Sequence, residues 1–170
     1  MRRLRYHVAM SLDGYIAGPN GEFDWIVMDP SVDFGALFAE FDAFVMGRNT
    51  FELVQSQGPQ GPLAGKNVIV CSNTLVPEDY PGATIVSSGA TEMIRKLKSQ
   101  IGKDIWLFGG GILFRSFLDA GLVDTIEVAV TPILLSQGVP VLPKGQRSPA
   151  LRLTNSKTLP SGVVMLSYEL

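Results

Sequence analysis

The chain has 170 residues, of which 46% are hydrophobic and 18% charged, and its formal net charge at pH 7 is −2. This length predicts one domain over residues 1–170 with a sizeable core. The 14 lysine and arginine residues form no basic stripe, so we expect no nucleic-acid partner. No apolar run reaches the roughly 20 residues that a membrane span requires. Because Met1–Arg5 leads directly into a predicted strand, we expect no signal peptide and a cytoplasmic location.

In chain order, the predicted elements alternate between strands and helices. Strands are predicted at Leu4–Ser11, Ala43–Met46, Asn67–Cys71, Ala83–Val86, Ile105–Phe108 and Thr125–Thr131. Helices are predicted at Ser31–Phe41, Arg48–Gln57, Thr91–Ile101 and Leu113–Ala120. Such alternation favours a mainly parallel sheet with helices on both faces. Two further strands, at Leu151–Thr158 and Val163–Leu170, flank a Pro-Ser-Gly turn and predict a C-terminal hairpin.

The segment Leu12–Trp25 connects the first strand to the first helix and is rich in Gly and Pro, yet it carries aromatic residues such as Tyr15. Aromatic side chains on a flexible loop suit a flap that covers a ligand, or they anchor a structural Ω-loop. Long loops inside compact domains are usually functional or disordered, which favours the flap. A second Gly- and Pro-rich segment, Gln55–Gly65, is predicted to be a loop within the domain.

Three consecutive glycines, Gly109, Gly110 and Gly111, follow the fifth predicted strand and precede the helix that contains Leu113. Glycines leave no side chains above the strand end, and the N–H groups around Ile112 and Leu113 point towards that space at the positive end of the helix dipole. This arrangement favours a bound phosphate or pyrophosphate. A tight strand–helix connection without a ligand fits the three glycines equally well.

A second turn of this kind follows the second predicted strand at Gly47, where a helix is predicted to begin at once. Arg48 stands at the mouth of this helix, where a guanidinium can bind a phosphate, and Thr50 adds a hydroxyl. Asn49 and Glu52 resemble a capping box, although Gly47 could equally be the N-cap. A lone arginine is more often a solvated surface charge. Together with the triple glycine, it predicts two helix N-termini that bind one dinucleotide.

These motifs, in this order, resemble the dihydrofolate reductase-like superfamily, and most closely its stand-alone members related to the reductase domain of riboflavin biosynthesis. The resemblance is carried by Met10–Gly18, Met46–Glu52, Phe108–Gly111, Gly121–Asp124 and Thr131–Gly138. It implies a three-layer α/β fold with a mainly parallel central sheet of about eight strands, flanking helices and a C-terminal antiparallel hairpin. It also implies NADPH as the cofactor, a small-molecule heterocyclic substrate and a homodimer.

The resemblance further implies that Ala9 and Ile16 border the nicotinamide. Ser72, Asn73 and Thr74 follow the third strand and could support the adenosine or its 2′-phosphate with hydroxyl and amide donors. No carboxylate lies in this segment to repel that phosphate, and an arginine is available nearby. NADP(H) is therefore expected to bind better than NAD(H).

Two carboxylates are candidates for catalysis, because reduction of a C=N bond by a hydride also requires a proton on nitrogen. By resemblance, Asp13 borders the substrate pocket, although an Asp-Gly turn needs no substrate. Asp33 resembles the acid at the start of the first helix of dihydrofolate reductases, with Thr131 as the threonine that faces it, or it is an exposed first-turn residue. We favour Asp13, and we expect Trp25 to pack beside it under the flap.

The charge distribution restricts the substrate, since no lysine or arginine lies between Tyr6 and Gly47, a span expected to build much of the substrate side. A ribosyl phosphate requires cationic or helix-terminal partners, so we expect a small uncharged or cationic heterocycle. The lone His7 is predicted to be a buried, hydrogen-bonded core residue, and the lone Cys71 a small core residue rather than a nucleophile. No metal site is expected.

The sequence therefore predicts an NADPH-dependent reductase of a pterin-like or pyrimidine-like compound. The resemblance allows 5-amino-6-(5-phosphoribosylamino)uracil reduction or dihydrofolate reduction as its activity. The same motifs also fit an NADP-binding protein of this fold that has a sensory or binding role without turnover. A third interpretation is a structural protein in which the glycine turns serve the scaffold only.

Overall fold

A computed structural model describes residues 1–58 and 63–170 of the chain. The strands in this part are β1 (Leu4–Ser11), β2 (Tyr15–Ala17), β3 (Phe41–Gly47), β4 (Asn67–Cys71), β5 (Ala83–Val86), β6 (Asp104–Gly109), β7 (Thr125–Thr131), β8 (Val139–Pro140), β9 (Arg152–Thr158) and β10 (Val164–Glu169). The helices are α1 (Phe34–Ala39), α2 (Arg48–Ser56), α3 (Ala90–Ser99) and α4 (Gly111–Asp119). None of these described helices is long and apolar enough to cross a membrane. Residues 59–62 of the predicted loop Gln55–Gly65 lie outside the described residues.

Eight strands form one sheet in the order β5-β4-β3-β6-β1-β7-β10-β9. The pairings from β5 to β7 are all parallel, whereas β10 runs antiparallel to both β7 and β9. This topology confirms the predicted α/β fold with a mainly parallel sheet of eight strands and a C-terminal antiparallel hairpin.

Apolar clusters cover both faces of the sheet. On one face, Tyr6 and Leu107 from the strands pack with Ile94 of α3 and Phe117 of α4. On the other face, a cluster that includes Phe41, Phe44 and Trp106 packs under α1 and α2 through Leu37, Phe38 and Phe51. Strands that are buried on both faces need continuous apolar runs, as in Phe44–Met46 of β3 and Val68–Val70 of β4, whereas β1 alternates apolar residues with Arg5 and His7.

The first helix is shorter than the predicted Ser31–Phe41. It begins at Phe34, because the Asp33 side chain caps it by accepting a hydrogen bond from the Ala36 N–H at 2.9 Å. It ends at Ala39, because Phe41 is fully buried and starts β3. The apolar pattern continues from α1 into β3, so the boundary between the helix and the strand could not be located from the sequence.

A small antiparallel sheet of β2 and β8 was not predicted from the sequence. Tyr15 pairs with Pro140, and Ala17 pairs with Val139. Strands of two and three residues are too short to show the alternation that identifies a strand. This pair ties the segment after β1 to the segment after β7.

Tyr6 provides a test of the core packing. Its ring stacks on Phe114 with centroids 3.8 Å apart, and its buried hydroxyl has no hydrogen-bond partner among the described residues. We predict that Tyr6→Phe raises the free energy of unfolding by about 1 kcal/mol, because an unsatisfied buried hydroxyl is removed while the ring stays. Chemical denaturation measures the change, with Tyr168→Phe on half-buried β10 as the control. A destabilised Tyr6→Phe variant would contradict this packing.

Candidate active site

The carboxyl ends of three parallel strands meet at one edge of the sheet. In the register, Met46 of β3 lies beside Gly109 of β6, and Gly47 of β3 lies beside Cys71 of β4. Helix α2, helix α4 and the loop after β4 therefore all leave the sheet at neighbouring points. Ligands of open α/β sheets bind at this edge, outside the carboxyl ends of the strands.

Helix α2 begins at Arg48 with Gly47 as its N-cap, and no described side chain caps its first turn. The alternative capping box of Asn49 and Glu52 is wrong, because Glu52 instead accepts a hydrogen bond from Arg48 Nε at 2.7 Å. Arg48 Nη1 also donates to Thr74 Oγ1 at 2.9 Å. The guanidinium thus links the start of α2 to the loop after β4, while Asn49 is exposed beside it.

The three glycines are required by close packing and by backbone conformation. A methyl group on Gly109 would lie 3.1 Å from Thr50 Oγ1, and one on Gly111 would lie 2.7 Å from the Pro140 carbonyl oxygen. Gly110 has a φ of 93°, which a side chain disfavours. Helix α4 begins at Gly111, two residues before the predicted start at Leu113. Low helix propensity of glycine obscured this start in the sequence.

Helix α4 also lacks a side-chain cap among the described residues, since its N-cap is Gly110. Ile112 and Leu113 lie in its first turn, and Ile112 is 80% exposed. The start of α4 therefore matches that of α2, because in both helices the first N–H groups have no side-chain acceptor. Two positive helix ends at adjacent strands are suited to bind anionic groups.

The loop after β4 contains one buried residue that holds the loop backbone and two exposed residues that can contact a ligand. Ser72 is buried, and its hydroxyl accepts hydrogen bonds from the N–H groups of Thr74 at 3.2 Å and Leu75 at 3.1 Å. Asn73 and Thr74 are exposed. Burial raises the pKa of the Cys71 thiol to about 11, so this cysteine is protonated at neutral pH and unsuited to act as a nucleophile.

Asp13 connects the start of the flap to the segment that follows β7. Its carboxylate accepts hydrogen bonds from the Ser11 hydroxyl at 2.6 Å, from the Leu135 N–H at 3.1 Å and from the Ser136 N–H at 2.7 Å. These bonds, with that of Ser11 foremost, lower the pKa of Asp13. Ser136 has a φ of 65°, so Asp13 holds a residue in a strained conformation.

The structure places Thr131 and Ala9 close to this point. Thr131 is buried at the end of β7, directly beside Ser11, and Ala9 is half-buried beside Ala129. The predicted substrate-side residues Asp13 and Thr131 therefore lie at the ends of two neighbouring strands.

The structure places the other three predicted site residues, Asp33, Trp25 and Ile16, on three different segments. Asp33 is exposed and bonded within the first turn of α1, so its predicted pairing with Thr131 is not among the hydrogen bonds of the described residues. Trp25 is half-buried, and its Nε1 donates to the Glu22 carbonyl at 3.1 Å within the flap. Ile16 is half-buried in β2.

A second carboxylate that anchors the flap was not singled out from the sequence. Asp29 is only 3% exposed and accepts hydrogen bonds from the Ser31 N–H at 2.8 Å, the Ser31 hydroxyl at 2.6 Å and the Ser161 N–H at 3.0 Å. It thus joins the end of the flap to the turn between β9 and β10. The Asp-Pro-Ser order at 29–31 is typical of an Asx turn and was the signal available in the sequence.

This geometry defines an α/β protein whose candidate site lies at the carboxyl ends of its parallel strands. The chain belongs to the family of the RibD C-terminal domain, whose family model matches residues 2–165. Membership confirms the resemblance to riboflavin-biosynthesis reductase domains on which the predictions rest.

Three relatives show how closely the chain follows this family. The uncharacterized protein YyaP of Bacillus subtilis (strain 168) is 33% identical over 99% of this chain and 95% of its own length. A crystal structure of a Shewanella sp. PV-4 protein assigned to riboflavin biosynthesis is 32% identical, has a TM-score of 0.84 and covers 99% of this chain and 98% of that one.

The third relative is more distant. The diaminohydroxyphosphoribosylaminopyrimidine deaminase/5-amino-6-(5-phosphoribosylamino)uracil reductase of Thermotoga maritima is 17% identical, with a TM-score of 0.72 over 99% of this chain and 56% of that one. At this identity the likeness shows the fold alone.

The anchoring role of Asp29 predicts a pH dependence of stability. Hydrogen bonds from Ser161 and Ser31 hold the pKa of Asp29 well below its ordinary value of 3.8. The ionised carboxylate therefore stabilises the fold above pH 3.8, and this contribution is lost as the pH falls towards the lowered pKa. We predict that Asp29→Asn melts at a lower temperature than wild type at pH 7 and that the difference narrows below pH 3.8.

Calorimetry across this pH range measures the effect, and Asp24→Asn, an exposed change in the same segment, is the control. A melting-temperature difference between wild type and Asp29→Asn that is constant with pH would contradict the anchoring role of the Asp29 charge.

Proposed function

We propose that the protein is an NADPH-dependent reductase that transfers a hydride to a small pterin-like or pyrimidine-like heterocycle. The observation that carries this proposal is the pair of uncapped helix N-termini at adjacent strand ends, with Arg48 bonded to Thr74 beside them. Membership in the family of a riboflavin-type reductase domain supports the same conclusion.

The residues at this edge fit a dinucleotide. A methyl group on Gly47 would meet no described atom within 4 Å, so the space in front of α2 is open. We assign one phosphate to the start of α2, the other to the start of α4, the adenosine end to the loop after β4 and the nicotinamide to β1 and β2. In the same order, the residues assigned to these four parts of the cofactor are Gly47, Arg48, Asn49 and Thr50; Gly109, Gly110, Gly111, Ile112 and Leu113; Ser72, Asn73 and Thr74; and Ala9 and Ile16. When bound, the nicotinamide supplies the hydride.

We assign the substrate side to the ends of β1 and β7 under the flap, with Thr131 and Trp25 as contacts. Asp13 remains the favoured catalytic carboxylate and Asp33 the alternative. Because Asp13 is ionised and accepts three hydrogen bonds, we infer that it orients the substrate and the flap, and that the proton reaches the substrate nitrogen from water. The three hydrogen bonds that Asp13 accepts also fit the second candidate function, an NADP-binding protein without turnover.

Two measurements test the proposal in order. Fluorescence titration with NADPH tests the cofactor site, and absence of binding would exclude both candidate functions. NADPH consumption over a panel of pterins and pyrimidines then separates a reductase from a binding protein. The cytoplasmic location remains a prediction.

Arg48 is expected to give the site its preference for the 2′-phosphate. We predict that wild type binds NADPH more tightly than NADH and that Arg48→Ala weakens NADPH binding by about tenfold, the loss of roughly one charge-assisted hydrogen bond. NADH binding should change little. Glu52→Ala, which frees Arg48 from its ion pair, is the control. Equal affinity of wild type for the two cofactors would contradict the assignment.

The two carboxylates can be separated by matched amide variants. We predict that Asp13→Asn lowers turnover on a confirmed substrate by about 10²-fold, because the substrate and the flap would be misplaced, and leaves NADPH affinity almost unchanged. Asp33→Asn should retain turnover, because Asp33 bonds within its own helix. Steady-state kinetics at saturating NADPH measures both. If the loss appears in Asp33→Asn instead, the acid lies at the start of α1. If both variants turn over normally, neither carboxylate is required.

We also propose a homodimer. Every residue of the edge strand β9 is exposed and every residue of β10 is only half-buried, and Leu153 on β9 is 51% exposed. An exposed edge strand offers unpaired backbone N–H and C=O groups with which another chain can pair. Light scattering at micromolar concentration should give twice the mass of the chain, and Leu153→Lys should shift it towards the monomer. A monomeric wild type would refute the dimer.

A further inference from the structure

A ladder of polar and small residues runs along β1 and β7 on one face of the sheet. Arg5 lies beside Thr125, His7 beside Glu127, and Ala9 beside Ala129. The guanidinium of Arg5 lies 4.6 Å from the centroid of the Phe41 ring. Since Phe41 belongs to the cluster under α1 and α2, the ladder faces the same side as those helices.

The alanine pair leaves a low apolar floor within this ladder. Phe38 of α1 packs on Trp106 of β6 at 4.9 Å and on Phe44 of β3 at 5.8 Å, so its ring lies over the neighbouring strands β3 and β6. Ala9 and Ala129 are both half-buried. These two residues carry the smallest side chains of the ladder and lie one step inside the strand ends where the flap begins.

A buried carboxylate lies at the inner end of this floor. Glu127 accepts hydrogen bonds from Arg5 Nε and Nη2, both at 2.7 Å, and from the Thr125 hydroxyl at 2.9 Å. Burial opposes its charge, but contact with His7 and Arg5 keeps the pKa of Glu127 well below its ordinary value. Arg5 also pairs with Glu40 at 2.5 Å.

Counting charges in this network leaves an excess of carboxylates. Asp104 lies 3.4 Å from Arg5 and 2.9 Å from Arg3, so two guanidiniums face the three carboxylates of Glu40, Asp104 and Glu127. Of these carboxylates, Glu127 lies on the rung next to the alanine pair, and its negative charge beside His7 favours a ligand edge that donates hydrogen bonds.

His7 is the one member of the ladder that the packing does not explain. Its Nδ1 is buried 3.3 Å from Glu127 Oε2, yet it has no hydrogen-bond partner among residues 1–58 and 63–170. The side chain is 12% exposed, and its ring centroid lies 5.1 Å from that of Trp106. His7 is half-buried, not fully buried as predicted, and the predicted hydrogen bond is absent from the described structure. Because Nδ1 faces the Glu127 carboxylate, the nitrogen available to a ligand is Nε2, for which the described residues provide no hydrogen-bond partner.

We propose that His7, backed by Glu127, determines substrate specificity by binding the polar edge of a heterocycle that lies on Ala9 and Ala129. The substrate class is then a ring that carries an amino group next to a ring nitrogen, neutral or cationic, in place of a ring that presents only carbonyls. This inference rests on the proposed function, because it names the substrate edge of the same site.

The experiment uses the NADPH-loaded protein and two small probes, 2,4-diaminopyrimidine and uracil, with binding measured by calorimetry. The variants are His7→Leu, which removes both ring nitrogens, and His7→Gln, which restores polar atoms at that position. NADPH affinity and the circular dichroism spectrum are measured for each variant to show that the fold and the cofactor site are intact.

Wild type should bind 2,4-diaminopyrimidine at least about tenfold more tightly than uracil, the effect of roughly one hydrogen bond to a charged group. His7→Leu should lose about tenfold in affinity for the diamine, while His7→Gln stays within about threefold of wild type. Equal binding of the diamine by wild type and His7→Leu would overturn the proposal. So would failure of both probes to bind a protein that still binds NADPH. Failure to bind NADPH itself would instead overturn the proposed function.

Discussion

The parallel pairing of β3 with β6 is the constraint on which the site depends. These strands are distant in sequence, yet they lie side by side, with Met46 next to Gly109. Their helices must therefore begin next to each other, and the space between them is kept narrow because Thr50 of α2 contacts Gly109. A methyl group at that glycine would lie 3.1 Å from Thr50 Oγ1, so the Thr50 side chain would have to shift. The proposed binding of phosphates at this edge thus depends on strand pairing together with the missing side chains.

Carboxylates that bind backbone N–H groups hold the flap over this frame. Asp13 fixes its start to residues 135–136, and Asp29 fixes its end to the β9–β10 turn. The β2–β8 pair adds a third tie, and the Pro140 carbonyl in that pair lies against Gly111 at the start of α4. The β2–β8 pair on the proposed substrate side therefore touches the start of α4 on the proposed phosphate side. Because the hairpin that holds Asp29 is also the exposed edge of the sheet, dimer formation would act on the same flap.

Much of the fold could be predicted because buried parallel strands are short apolar runs with clear ends. The β1, β4, β5 and β7 boundaries match the prediction, and both helix starts at the site were located to within two residues. The flap could not be predicted in the same way, because its structure depends on contacts between carboxylates and distant backbone groups. Asp29 and the β2–β8 pair show this. His7 shows the same limit, since its relation to Glu127 follows only from the register of β1 with β7.

Hydrogen–deuterium exchange with and without NADPH tests most directly the claim that two helix N-termini share one dinucleotide. We predict slower exchange of the backbone amides at residues 47–50 and 110–113 together, because both sets of N–H groups would bind phosphate. Amides in α3, which follows the edge strand β5 and has no assigned role in the site, should exchange at an unchanged rate. Protection of only one of the two segments, or protection confined to residues elsewhere in the chain, would contradict the shared site.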